Sequence, residues 1–169
     1  MKNILFLLLF ASVFIQCQTE KEMISKYSAQ VGDIIFDEKI DDSKFKRCFE
    51  KDLGFQYYND SKGFEFEGEK IAIINQLEKL KIQGNKDSNG YITIRFLVNC
   101  EGKSGLFRTK SINFNYIEED FDEKLANQLL SFTKNLQGWK IKEAEGFKLD
   151  YYQYLTYKIE DGKVSEILP

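Results

Sequence analysis

The sequence predicts an α+β fold in which one antiparallel sheet of about three to four strands packs against two helices. Three observations predict it. Residues 91–100 alternate without interruption, Ile92, Ile94, Phe96, Val98 and Cys100 on one face and Tyr91, Thr93, Arg95, Leu97 and Asn99 on the other, the period of a strand with its first set turned to a core. Phe121, Leu125, Leu129, Phe132 and Leu136 recur at helical spacing before Gly138. A tyrosine-rich run from Leu149 to Ile159 is followed by Asp161-Gly162 and Val164 to Leu168, a long strand and a tight hairpin.

At the start of the chain, Lys2 precedes an apolar stretch from Ile4 to Ile15, broken only by Ser12, and the sequence turns polar from Gln16. A run of about a dozen residues makes a helix of about 18 Å, short for a hydrocarbon core of about 30 Å. Residues 1–17 are therefore read as an export signal. Cys17 stands where a bacterial lipoprotein carries its lipid, although Gln16 occupies the place that usually holds a small residue. Cleavage after Cys17, releasing a soluble protein, is the competing reading, and both stay open.

Residues 18–44 are charged and weakly periodic, with Ile34-Ile35-Phe36 as their one apolar cluster, and read as a tether or a loosely packed arm; the domain is expected over 45–169. The acids Asp33, Asp37, Glu38, Asp41 and Asp42 lack the spacing of a calcium loop and read as a solvated face. Phe55, Tyr57, Tyr58, Phe64 and Phe66 among Gly and Asp suggest an aromatic-rich hairpin or loop. Ile73, Ile74, Leu77 and Leu80 give a first helix over 69–81, ended at Gly84. After the alternating strand, Glu101-Gly102-Lys103-Ser104-Gly105 turns the chain, and residues 106–116 return as its partner. That Gly-Lys-Ser is no phosphate loop, because Leu97 stands where the motif needs its first glycine. Asp120 and Glu123 suggest a capping box for the second helix, and Trp139 reads as a core plug behind it.

Composition removes whole classes of function. The 169 residues include no His, which removes the commonest general base, the Ser-His and Cys-His pairs, and imidazole metal sites. A formal charge of −3 without a basic run gives no reason to expect nucleic acid. An enzyme would have to use a carboxylate pair, a thiol or a lysine. Glu118, Glu119, Asp120 and Asp122 gather at a helix N-terminus, where capping and the helix dipole favour acids without any catalysis. No catalytic residue, cofactor, metal or small-molecule substrate is expected. In an oxidising compartment Cys48 and Cys100 are the two cysteines left to pair, worth roughly 4 kcal/mol for a loop of about 50 residues; two separate buried thiols are the alternative.

The segment Gly90-Tyr91-Ile92-Thr93-Ile94-Arg95-Phe96-Leu97-Val98-Asn99, a glycine turn, a second strand, Phe121-Asp122-Glu123-Lys124-Leu125 opening a helix, Gly138-Trp139 closing it and a final strand together resemble the C-terminal domain of the energy transducer TonB. The likeness covers about 80 residues, Gly90 to Pro169, and the ending looks like that of exported TonB-related proteins of Bacteroidetes-type bacteria. A transducer also has a membrane helix bearing a His and a long Pro-rich spacer. This chain has no His and its one Pro is Pro169, so it is not expected to transmit proton-motive work itself. The resemblance implies a non-catalytic periplasmic or envelope module that engages an envelope protein, such as an outer-membrane receptor segment, by β-strand addition. On that reading the strand carrying Tyr151, Tyr152, Gln153, Tyr154, Thr156 and Lys158 is the binding edge, provided that it is outermost. A structural envelope protein held by lipid on Cys17 is the alternative.

Overall fold

The computed structural model describes residues 32–49, 54–56, 64–120 and 122–168. The export signal, Cys17, residues 18–31 of the arm, Tyr57, Tyr58, Phe121 and Pro169 lie outside them. Among the described residues, no helix is long and apolar enough to cross a membrane.

The elements in order are helix α1 (Glu69–Leu80), strands β1 (Gly90–Val98) and β2 (Ser104–Ile112), helix α2 (Glu123–Lys134), and strands β3 (Lys142–Ala144), β4 (Phe147–Leu149), β5 (Tyr151–Glu160) and β6 (Lys163–Leu168). Four strands form one antiparallel sheet in the order β2-β1-β5-β6, and β3 and β4 form a separate hairpin. The fold is α+β, as the residue pattern predicts. β1 and β5 pair along their whole length, from Gly90↔Ile159 to Val98↔Tyr151. On the helix side, Ile92, Ile94, Phe96 and Val98 of β1 meet Leu155, Tyr157 and Ile159 of β5. Ile73 and Leu77 of α1 and Leu125, Leu129 and Phe132 of α2 close over them. Trp139 plugs one end, with its ring centroid 4.8 Å from Phe66 and 5.0 Å from Phe96.

Local chemistry sets the boundaries. α2 is capped by Asp122 rather than Asp120: its carboxylate accepts from the Lys124 N–H at 2.9 Å and, through the other oxygen, from the Asn85 N–H at 2.8 Å. The return strand stops at Ile112 because the Asn113 carboxamide accepts from the N–H groups of Asn115 and Ile117, folding 113–117 into a turn. β3 and β4 have no sequence expectation behind them, since they are three residues each, half of them charged and most of them exposed; Glu145 and Gly146, both at positive φ, make the turn.

Two expectations are corrected here. First, β5 is an interior strand. Asp161 and Gly162 take φ of 51° and 71°, the left-handed pair that a tight hairpin requires, so the tail returns as β6 and covers Thr156 to Glu160. Near the other end, Phe55 bridges Tyr151, donating its N–H to the Asp150 carbonyl and accepting from the Tyr152 N–H. The margin expected of Tyr151, Tyr152, Gln153, Tyr154, Thr156 and Lys158 is therefore not the sheet's outer edge. Second, residues 32–44, the described part of the segment expected over 18–44 as a tether or a loosely packed arm, do not hang loose, and residues 45–49 continue them. They lie across the sheet's other face, where Ile34, with Phe45 beside it, packs on Leu97, Leu106 and Tyr152.

Candidate functional site

Three polar joints hold the 32–49 segment in place. At the first, the Tyr152 hydroxyl donates to the Asp33 carboxylate in a short hydrogen bond and accepts from the Ile34 N–H at 2.9 Å. Arg47 Nη1 donates to the same carboxylate at 2.8 Å, and the Arg95 guanidinium lies 4.3 Å from the centre of the Tyr152 ring. Burial pushes the Asp33 carboxyl up, but the hydrogen bonds from Arg47 and Tyr152 and the charges of Arg47 and Arg95 outweigh it and hold it below the ordinary carboxylate value. Burial and the Asp33 bond push the Tyr152 phenol up to about 12, so it stays protonated and remains a donor.

The second joint is Asp150, fully buried at the entry to β5. One carboxylate oxygen accepts from the N–H groups of Cys48 at 2.9 Å and Phe49 at 3.2 Å, and the other from that of Cys100 at 2.9 Å. Cys48 and Cys100 form a disulfide, so one carboxylate ties down both ends of the covalent bridge. The two sulfurs and an Asp150 oxygen lie within 4.8 Å of one another, but sulfurs bonded to each other are not thiolate ligands. Next to this joint, the Asn99 side chain accepts from the N–H groups of Glu101 and Lys103 and donates to the Lys46 carbonyl, which shapes the β1–β2 turn.

The third joint is the fork of Arg108 on Asp41, at 2.8 and 2.7 Å. Burial raises the Asp41 carboxyl, and the Arg108 hydrogen bonds, followed by the Asp37 N–H and the Arg108 and Lys134 charges, bring it below its ordinary value. Between the 39–45 segment on one side of the sheet and the end of α2 on the other lies an open groove of roughly 780 Å³. Ser104, Gly105, Leu106 and Phe107, the first half of β2, line it. Lys39, Lys44, Lys103 and Lys134 stand around it.

The side chains expected to bind a partner fare unevenly. Tyr151 is buried on the helix face, with its hydroxyl donating to the Lys140 carbonyl at 2.8 Å, and burial raises its pKa further than that of Tyr152. Tyr152 belongs to the first joint, and Gln153 is buried. Tyr154, Thr156 and Lys158 are half-buried; Thr156 shares a hydroxyl hydrogen bond with Thr93 at 3.0 Å, and Lys158 pairs with Glu160 at 2.8 Å. The six residues do not form one accessible surface. Asp33, expected on a solvated face, and Arg47, Arg95, Arg108 and Asp150, to which the pattern gave no role, do the organising. A signal existed for some of them: Arg95, Leu97 and Asn99 share a strand face that water alone would not suit, because Leu97 sits among them.

Comparison with protein-family models, with curated proteins and with solved structures finds no match.

Proposed function

We propose that this chain is a non-catalytic envelope module, related to the TonB C-terminal domain, that is exported and binds an envelope protein by accepting an extended segment at the margin of its sheet. The supporting sequence features are the export-type start, the order of strand, glycine turn, strand, helix, Trp and strand, and the cysteine pair bonded as in an oxidising compartment. The observation that carries the proposal is the outer side of β2. It is a terminal strand of the sheet, and no described strand pairs with it there. Its far end is closed, where Glu118 bridges Ile112 and the Glu119 N–H reaches the Ser111 carbonyl. Ser104 to Thr109 lie before that closure, and the first four of them line the groove. The binding edge is accordingly assigned to β2 and not to β5.

The Ser111 carbonyl points outward, so by strand alternation the Thr109 N–H points outward too. Thr109→Pro removes that donor and leaves the ladder to β1 intact. A photo-crosslinking residue at Thr109, introduced in producing cells, is expected to capture an envelope polypeptide, and Thr109→Pro with a crosslinker at neighbouring Phe107 is expected to lose it while unfolding at nearly the same temperature. Adducts that survive the proline, or form from Glu166 on β6 and not from Thr109, refute the assignment.

A further inference from the structure

The groove beside β2 carries a charge pattern at odds with the whole chain. The protein has a formal charge of −3, yet Lys39, Lys44, Lys103 and Lys134 face the groove against two acids, Asp41 and Asp42. Asp41 is already committed to Arg108, and the Asp42 carboxylate accepts from the Lys44 N–H at 2.8 Å, capping its own turn. Lys103 pairs with Glu101 at 2.7 Å, both of them exposed. For Lys39, Lys44 and Lys134, no salt bridge to a carboxylate is formed among the described residues, and Lys134 Nζ stands 5.6 Å from the centre of the Phe107 ring.

The construction of the groove makes these charges directional. One wall is the 39–45 segment, fixed on the sheet's second face by the Asp41–Arg108 fork and by Phe45, whose ring lies so close to Gly105 that a side chain there would collide with it. The other wall is the end of α2, on the helix face. Between them runs the margin of β2. That margin is bulged at Leu106, at φ 55°, and an extended segment lying along it points alternate side chains to the two faces, one set toward the wall with Lys39 and Lys44 and the other toward the wall with Lys134.

We propose that the groove selects an acidic extended segment, one with Asp or Glu at successive places along its length, docked on Ser104 to Thr109. The inference rests on the strand-addition reading and adds the chemistry of the partner to it. Its charges act at an exposed rim, so they contribute to selection and approach more than to affinity, and salt weakens them.

The test uses the full mature chain and three synthetic octapeptides of alternating sequence, Glu-Val, Gln-Val and Lys-Val, with binding followed by fluorescence anisotropy and located by amide chemical-shift changes. The Glu-Val peptide is expected to bind about tenfold more tightly than Gln-Val, to perturb Gly105 to Thr109, and to lose most of that advantage at high salt. Lys-Val is expected to be excluded. The triple variant Lys39→Gln, Lys44→Gln, Lys134→Gln, whose side chains are exposed and form no salt bridge among the described residues, should bind Glu-Val and Gln-Val alike while unfolding near the wild-type midpoint. If Glu-Val and Gln-Val bind wild type equally and both perturb β2, acid selection is overturned and strand addition survives. If Glu-Val binds without perturbing β2, or no peptide binds, both fall. If the triple variant keeps the full preference, the lysines are not its source and the inference is overturned.

Discussion

Replacing Asp150 with Ala tests whether one buried carboxylate joins the N-terminal segment, the disulfide and the sheet. The side chain accepts three backbone N–H groups, from Cys48, Phe49 and Cys100. A hydrogen bond to a charged acceptor contributes about 1.5–3 kcal/mol. Cys48 is exposed, so water can reach its N–H after the substitution, whereas Phe49 and Cys100 are partly covered and lose more. The expected loss is therefore about 3–5 kcal/mol, and Asp150→Asn, which keeps one carbonyl oxygen, should lose about half as much. Urea unfolding followed by the fluorescence of Trp139, the chain's single and buried Trp, measures it. The same substitution in a Cys48→Ser, Cys100→Ser background supplies a cycle: because the carboxylate holds the two stretches of chain that the disulfide joins, the coupling should reach about 1 kcal/mol. A loss below about 1 kcal/mol for Asp150→Ala, or strict additivity with the cysteine pair, refutes the reasoning.

Breaking the disulfide alone, in the Cys48→Ser, Cys100→Ser variant, should cost up to about 4 kcal/mol for a separation of 52 residues and should raise the urea dependence, as the unfolded chain expands; an unchanged midpoint contradicts this. Asp33 titrates below its ordinary value of 3.8 in the folded protein, so its stabilisation is complete above that value and is lost as pH falls through the lower folded one. Unfolding midpoints measured from pH 7 down to about pH 2 should therefore fall less steeply for Asp33→Asn than for wild type, with Asp41 still contributing in the same direction. If Cys17 carries lipid, a fatty-acid analogue should label the chain in producing cells and Cys17→Ala should abolish the label; an unlabelled wild type assigns the soluble form.

The helix-facing core was legible because it rests on periodicity. Ile92 to Val98 at a spacing of two and Leu125, Leu129 and Phe132 at helical spacing each declare their face without reference to anything distant. Asp161-Gly162 was equally legible, since the turn chemistry is local. The sheet's outer margin was not, because which strand is outermost depends on whether another segment pairs with it, and an outer strand and an interior one share the same composition. The second face failed for a related reason. Arg95 and Asn99 look solvent-facing until residues 32–49 arrive, and that arrival is decided by Tyr152, Asp150 and Cys100, more than 50 residues away from Asp33 along the chain. A weakly periodic, acidic segment reads as solvated even when its acids are the anchors.

The lysines around β2 also bear on a problem common to every open sheet. A terminal strand offers its backbone to any extended chain, including the same strand of another copy, and charged side chains at the margin are a usual defence. Two copies meeting through β2 would bring two sets of Lys39, Lys44 and Lys134 together, and like charges would oppose the contact. An acidic segment meets the opposite field at the same place. On the proposed strand addition, one set of charges disfavours pairing between copies and favours an acidic segment, which gives specificity to a backbone interaction that is itself indifferent to sequence. The Lys→Gln triple variant should then reveal both halves at once: as it loses its preference for the acidic peptide, sedimentation at rising concentration should show more self-association than wild type at the same salt.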